Sequence, residues 1–148
     1  MTAATARALA LLREEQLTCA VCGTDEAQAF KSRERGVAPL LNWLDNGMRF
    51  PAFSAADKVV GAGAAYLYVL LGVTELYALT VSQNAQAVLQ QYGITLFCDT
   101  TVPHIVNRAG DGPCPIEQAV ADATDPADAL CRIRARLAAL RNVAPKTT

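Results

Sequence analysis

Between Gly72 and Ser82 lies Leu76-Tyr77-Ala78-Leu79-Thr80-Val81, a run without a single charge. A strand with one wet face alternates apolar and polar side chains, so a continuous run reads as a parallel strand covered on both faces. Parallel neighbours need crossover connections, usually helices. The chain supplies them in alternation. Residues 4–15 place Ala4, Ala8, Leu11 and Leu12 on one helical face. Leu17–Cys22 and Gln28–Arg33 read as a hairpin turning through Gly23-Thr24-Asp25. Val37–Asn46 forms a short helix closed by Gly47, and Ser54–Leu71 a long apolar helix closed by Gly72. Ser82 opens another helix that ends at Gly93, and Ile94–Cys98 is the next strand. His104–Asn107 offers a short fifth strand, and helices from Pro115 and Pro126 finish the chain, the last burying Leu130, Ile133, Leu137 and Leu140. This order predicts an α/β fold, a three-layer α/β/α sandwich with a mixed sheet.

The 148 residues suit one domain over 1–148, with a flexible tail at 142–148. Thirteen Lys and Arg against 14 Asp and Glu give a net charge of −1, which leaves no basic stripe for nucleic acid or an anionic membrane as a partner. The apolar stretch Ala8–Leu12 is too short for an export signal, and Val59–Thr74 is shorter than the roughly 20 residues of a membrane span. Five cysteines without such a signal predict reduced thiols in the cytoplasm.

Topology then predicts a site. The helix expected from Ser54 would start beside the C-terminal end of strand 76–81, where the helix from Ser82 also starts. Two helix N-termini converging near Asp57, Lys58 and Ser82 favour phosphate- or ribose-bearing ligands. Asp57 has a second reading, because Ser54-Ala55-Ala56-Asp57 fits a capping box. Lys58 would stand against the helix dipole unless a function compensates. Gly61 and Gly63 each weaken a helix by about 1 kcal/mol, so something approaches closely there, either a ligand or a packed neighbour.

Cys19 and Cys22 form a CxxC whose odd spacing on a strand turns the thiols to opposite faces, which opposes chelation. The one histidine, His104, carries either a structural or a catalytic role. Asn107-Arg108-Ala109-Gly110-Asp111-Gly112-Pro113-Cys114-Pro115-Ile116-Glu117 is dense in polar and turn residues feeding a helix, with Cys114 near its cap. Cys114 is therefore the thiol expected to react first, the other four being expected in buried strand or helix positions.

Several runs together resemble the domain-of-unknown-function family numbered 1893. They are Arg35-Gly36-Val37-Ala38-Pro39-Leu40-Leu41, Asp57-Lys58-Val59-Val60-Gly61 with Ala64-Ala65, Ser82, and Asn107-Arg108 with Gly110, Gly112, Cys114-Pro115 and Glu117. The resemblance covers roughly residues 17–120 and implies a cytidine-deaminase-like fold without zinc ligands. It sets Asp57 and Lys58 where a deaminase has His-x-Glu, and Ser82 where its Pro-Cys-x-x-Cys begins. Ala62 stands where the family pattern has Lys.

The expected protein is a zinc-free deaminase-like domain that binds a small nucleotide-like, ribose- or phosphate-containing molecule. Candidate catalytic residues are Asp57, Lys58 and Cys114; candidate ligand contacts are Gly61, Ser82, Asn107, Arg108 and Glu117. No metal or other cofactor is expected. Deaminase-like folds commonly self-associate, so a homodimer or higher homo-oligomer is expected. The alternative is a non-catalytic binding or assembly module.

Overall fold

A computed structural model describes residues 1–107 and 109–143. The chain runs α1 (Ala3–Glu14), β1 (Cys19–Cys22), β2 (Ala29–Ser32), α2 (Ala38–Asp45), β3 (Ser54–Val60), α3 (Ala62–Leu71), β4 (Glu75–Ser82), α4 (Gln83–Gln91), β5 (Thr95–Val102), α5 (Pro115–Ala119) and α6 (Pro126–Val143). The strands form one open sheet in the order β2-β1-β3-β4-β5. β1 is antiparallel to both β2 and β3, whereas β3, β4 and β5 are parallel. The sheet is therefore mixed, with helices on both faces.

The expected helix over Ser54–Leu71 is two elements. Residues 54–60 are a central strand, and the helix begins only after Gly61. Ser-x-x-Asp imitates a capping box and alanine is the best helix former, yet neither local preference prevails. Ser54, Ala55, Ala56 and Asp57 pair with β1 on one side and β4 on the other and are buried. Small side chains suit that position, since both faces of the sheet are covered there. Lys58 consequently lies on a strand and opposes no helix dipole.

Alternation along β1 divides the core. Ala8, Leu9 and Leu12 of α1 pack on Ala20, Cys22 and Ala56. Cys19, Val21, Ala55, Leu76 and Ala78 face the larger core built with Leu40, Leu67, Leu71, Leu89 and Ile133. The two thiols of the CxxC thus stand on opposite faces, and all five cysteines are free.

Elsewhere the boundaries shift modestly. β5 continues to Val102, and the segment expected as a fifth short strand contributes only a bridge between Val106 and Pro113. α6 extends through Val143, while residues 144–148 of the expected tail lie outside the described residues. In α6 only Ile133 of the four expected core residues is fully buried; Leu130, Leu137 and Leu140 are half-buried. No helix among the described residues is long and apolar enough to cross a membrane.

Gly72 closes α3 in the left-handed conformation, φ 95°, as its position predicts. Gly63 has a different cause. A Cβ there would stand 2.7 Å from Ile116 Cγ2, so α5 approaches α3 this closely only because Gly63 has no side chain, whereas Ile133 Cδ1 of α6 at 3.5 Å would be in ordinary contact. Gly63→Ala should therefore lower stability by about 1–3 kcal/mol despite its better helix propensity. In an Ile116→Ala background the same substitution should cost nothing, which chemical denaturation of the four variants checks.

Candidate functional site

β3 carries Asp57, Lys58 and Val59 to the C-terminal end of its run, where Gly61 turns the chain into α3. Beyond that end lies a groove of about 1190 Å³, walled by α2, the 105–107 segment, the start of α5 and the last turns of α6. Asp57, Lys58, Gly61, Asn107, Cys114 and Glu117 all line it, so six of the eight expected site residues meet on one surface. Arg35, Arg134 and Arg141 line it as well. Arg134 pairs with Asp45 at 2.7 Å, linking α6 to α2 across the groove, an exposed pair of small energetic worth.

Asp57 is buried, at 6% exposure. Its Oδ2 accepts from the Tyr68 hydroxyl at 2.6 Å, and its Oδ1 accepts from the Val59 N–H at 3.2 Å. The Tyr68 oxygen lies 3.0 Å from Cys19 Sγ. Burial raises the Asp57 carboxyl from its ordinary 3.8 to about 7, because desolvation outweighs the donors that favour the anion. The same burial, with the neighbouring Asp57 charge, holds the Cys19 thiol and Tyr68 phenol well above their usual ranges.

Glu117 is equally buried, at 6% exposure, and fully bonded. Its Oε2 accepts from the Ala62 N–H at 2.8 Å and from the Ser82 hydroxyl, and its Oε1 accepts from the Ile105 N–H at 2.7 Å. Ala62 is the first residue of α3, and Ser82 caps α4 by accepting from the Ala85 N–H at 3.0 Å. The two helix N-termini do converge, but around Glu117. An internal carboxylate occupies the anion-favouring position that the topology creates. This displaces the expected pocket. The groove opens at the end of β3, not over β4, and Ser82 is fully buried behind Glu117 and absent from the groove wall.

The remaining candidates divide. Lys58 is exposed and faces the groove. Gly61 lines it too, and a Cβ there would stand 3.2 Å from both Glu117 Oε2 and Ile105 Cγ1, so its close neighbours are protein atoms. The Asn107 side chain donates to Asp111 at 2.9 Å and accepts from the Asp111 N–H at 3.2 Å, closing its own turn. Arg108 lies outside the described residues. His104 is exposed and stands off the groove wall. Cys114 is half-buried at the head of the five-residue α5, whereas Cys131, expected to be buried, is exposed on α6. The premise that the other four thiols are buried holds for Cys19 and Cys22, but Cys98 is half-buried and Cys131 exposed.

Sequence reasoning missed Cys19 and Tyr68. Their signal is the register that sets Cys19 beside Asp57 across β1 and β3, and no local motif carries it. Among the described residues, no three His, Cys, Asp or Glu side chains gather as a metal site.

Residues 7–137 match the family described as "TM1506: Domain of unknown function (DUF1893)". The chain belongs to the DUF1893 family. No curated protein matches. Among solved structures, this DUF1893 chain is similar to a DUF1893 family protein (TM1506) from Thermotoga maritima. The TM-score is 0.80 at 22% identity, over 94% of this chain and 92% of that one. At such identity the likeness speaks for the fold alone.

Two outcomes follow for this DUF1893 chain. Glu117→Ala should lower stability by at least about 3 kcal/mol, because it strands the Ala62 and Ile105 N–H groups and the Ser82 hydroxyl, and chemical denaturation measures it. Asp57 should make stability pH-dependent. Its folded-state value is raised, so its contribution is complete below pH 4 and is lost as pH rises toward 7, on the order of 1 kcal/mol per pH unit, levelling off above. Denaturation of Asp57→Asn should lack this slope, and identical slopes in both proteins would contradict the assignment.

Proposed function

We propose that the groove binds a small nucleotide-like molecule carrying ribose and phosphate. One observation carries the reading. Among the described residues only three large apolar side chains are exposed, and two of them, Val59 at 48% and Val106 at 55%, stand on this groove beside Lys58. Exposed apolar surface set among polar groups marks a binding surface. Flat apolar contacts suit the face of a base, and the polar rim suits what the base is attached to. Lys58 and Arg35 supply cations for a phosphate, Arg in a planar fork that can bind two oxygens at once. Asp57 supplies a polar group in the groove wall. The volume exceeds what a mononucleotide needs.

The fold we propose for this reading is cytidine-deaminase-like. Its support is the parallel β3-α3-β4-α4-β5 unit next to an antiparallel β1, with two helix N-termini meeting at one point. Zinc does not fit that point. Glu117, Ser82 and the Ala62 backbone stand there instead of the His and Cys donors zinc prefers, so no chemistry is routed through a metal. We further propose a cytoplasmic protein that self-associates as a homodimer or higher homo-oligomer. β5, an edge strand of eight residues, offers the backbone for such pairing. Fully bonded Glu117 favours the alternative of a non-catalytic binding module at the helix junction itself, because nothing there is left to react.

Adenosine and cytidine 5′-monophosphate, with inorganic phosphate as control, test the binding by calorimetry. Lys58→Ala should weaken nucleotide binding at least tenfold, about 1.4 kcal/mol, while the melting temperature stays within a degree or two, since Lys58 is exposed. Equal affinity in the variant, or no nucleotide binding by the wild type, would refute the reading.

A further inference from the structure

Tyr68 lies on α3, fully buried, and bridges two groove residues that belong to different strands. Its oxygen is 2.6 Å from Asp57 Oδ2 and 3.0 Å from Cys19 Sγ. Cys19 and Asp57 are register partners across β1 and β3, so the strand pairing itself holds the two ends of this chain at the groove. A phenol has one proton and can donate it in one direction only. With Asp57 ionised, Tyr68 donates to Oδ2 and the Cys19 thiol donates to the Tyr68 oxygen. With Asp57 protonated, the Val59 N–H still occupies Oδ1, so the acid proton sits on Oδ2 and points at the Tyr68 oxygen. The phenol then turns to Cys19 Sγ. Both states keep the Asp57–Tyr68 and Tyr68–Cys19 hydrogen bonds, and they differ only in the direction of the two.

We propose that ligand binding in the groove changes the protonation state of Asp57, and that Tyr68 and Cys19 are positioning residues that reverse their hydrogen bonds to accept either state of Asp57. The inference rests on the nucleotide-like reading of the groove for the identity of the ligand. The step is balanced as a proton transfer. Asp57 takes a proton from the buffer when the ligand brings negative charge beside it, or releases one to the buffer when the ligand brings positive charge, and the carboxylate is then held by the Tyr68 O–H. No oxidant or metal takes part.

The groups facing Asp57 support this assignment. Tyr68 meets it from α3 and Cys19 from β1, with the Lys58 and Val59 N–H groups on its own strand. No ion pair engages Asp57 among the described residues. Cys19 and Tyr68 are both held well above their ordinary ranges, so near neutrality the mobile proton of the trio belongs to Asp57, whose carboxyl sits at about 7.

The test follows the Asp57 carboxyl by carbon-13 NMR across pH in ligand-free wild type, Tyr68→Phe, Cys19→Ala and Cys19→Ser, each checked for an unchanged fold by its amide spectrum. The wild-type midpoint should fall near 7. Tyr68→Phe removes the donor that favours the anion and should raise the midpoint by about one pH unit or more. Cys19→Ala should raise it by less, and Cys19→Ser, which keeps a donor for the Tyr68 oxygen, should restore it. Equal midpoints in all four proteins, or a serine variant that behaves like the alanine variant, would overturn the chain. Calorimetry with adenosine 5′-monophosphate in buffers of differing ionisation enthalpy should then show proton uptake or release in wild type and none in Asp57→Asn; linkage unchanged in the variant overturns the exchange. Displaced midpoints in a protein that does not bind this nucleotide would count against the ligand reading while upholding the chain.

Discussion

The Glu117 carboxylate is the point at which three separate pieces of backbone become one object. It receives the first N–H of α3, the hydroxyl that caps α4 and the N–H of Ile105. Each donor would be costly to bury alone, and two of them carry the positive ends of helices. A single acidic side chain therefore resolves the electrostatics of a junction that the βαβ topology makes unavoidable. It also ties α5 to the starts of α3 and α4, beside the groove wall formed by Ile105, Asn107 and Cys114.

Two buried acids thus stand close to the same groove with opposite character. Glu117 meets three donors and serves the fold. Asp57 stands where desolvation outweighs the donors it meets, and it holds its proton up to about pH 7. The difference comes from where each chain segment ends. Glu117 reaches into a place where backbone N–H groups are free because two helices begin, whereas Asp57 sits mid-sheet, where its neighbours' N–H groups are largely committed to strand pairing. We place the proposed function at Asp57, where the donors do not offset burial.

The β4-α4-β5 part of the parallel unit was legible because its signals are strong and local: an uncharged run at 76–81, Ser82 as a cap that does bond Ala85, and Gly72 and Gly93 with positive φ at helix ends. The opposite facing of Cys19 and Cys22 followed from strand alternation alone. β3 was illegible for a physical reason. Ser54-Ala55-Ala56 carries neither β-branched nor aromatic side chains, and its strand character comes from partners on both sides that the local sequence does not contain. Two helix N-termini do meet near Ser82, but the first is at Ala62 and not at the expected Ser54, and their occupant was not foreseen, because Glu117 lies 35 residues beyond Ser82 and only the packing of α5 brings them together. Tyr68 and Cys19 stayed hidden on the same ground, being united with Asp57 by register and by a helix crossing.

What the groove holds is the central matter, and amide chemical-shift mapping of the isotope-labelled protein on titration with adenosine 5′-monophosphate addresses it directly. The account predicts saturable shifts concentrated at Thr18, Cys19, Lys58, Val59 and Val106, around the mouth of the groove, with the amides of β5 and α1 unmoved. Shifts centred on β5 or on the α1 face, with the groove amides unchanged at saturation, would contradict it.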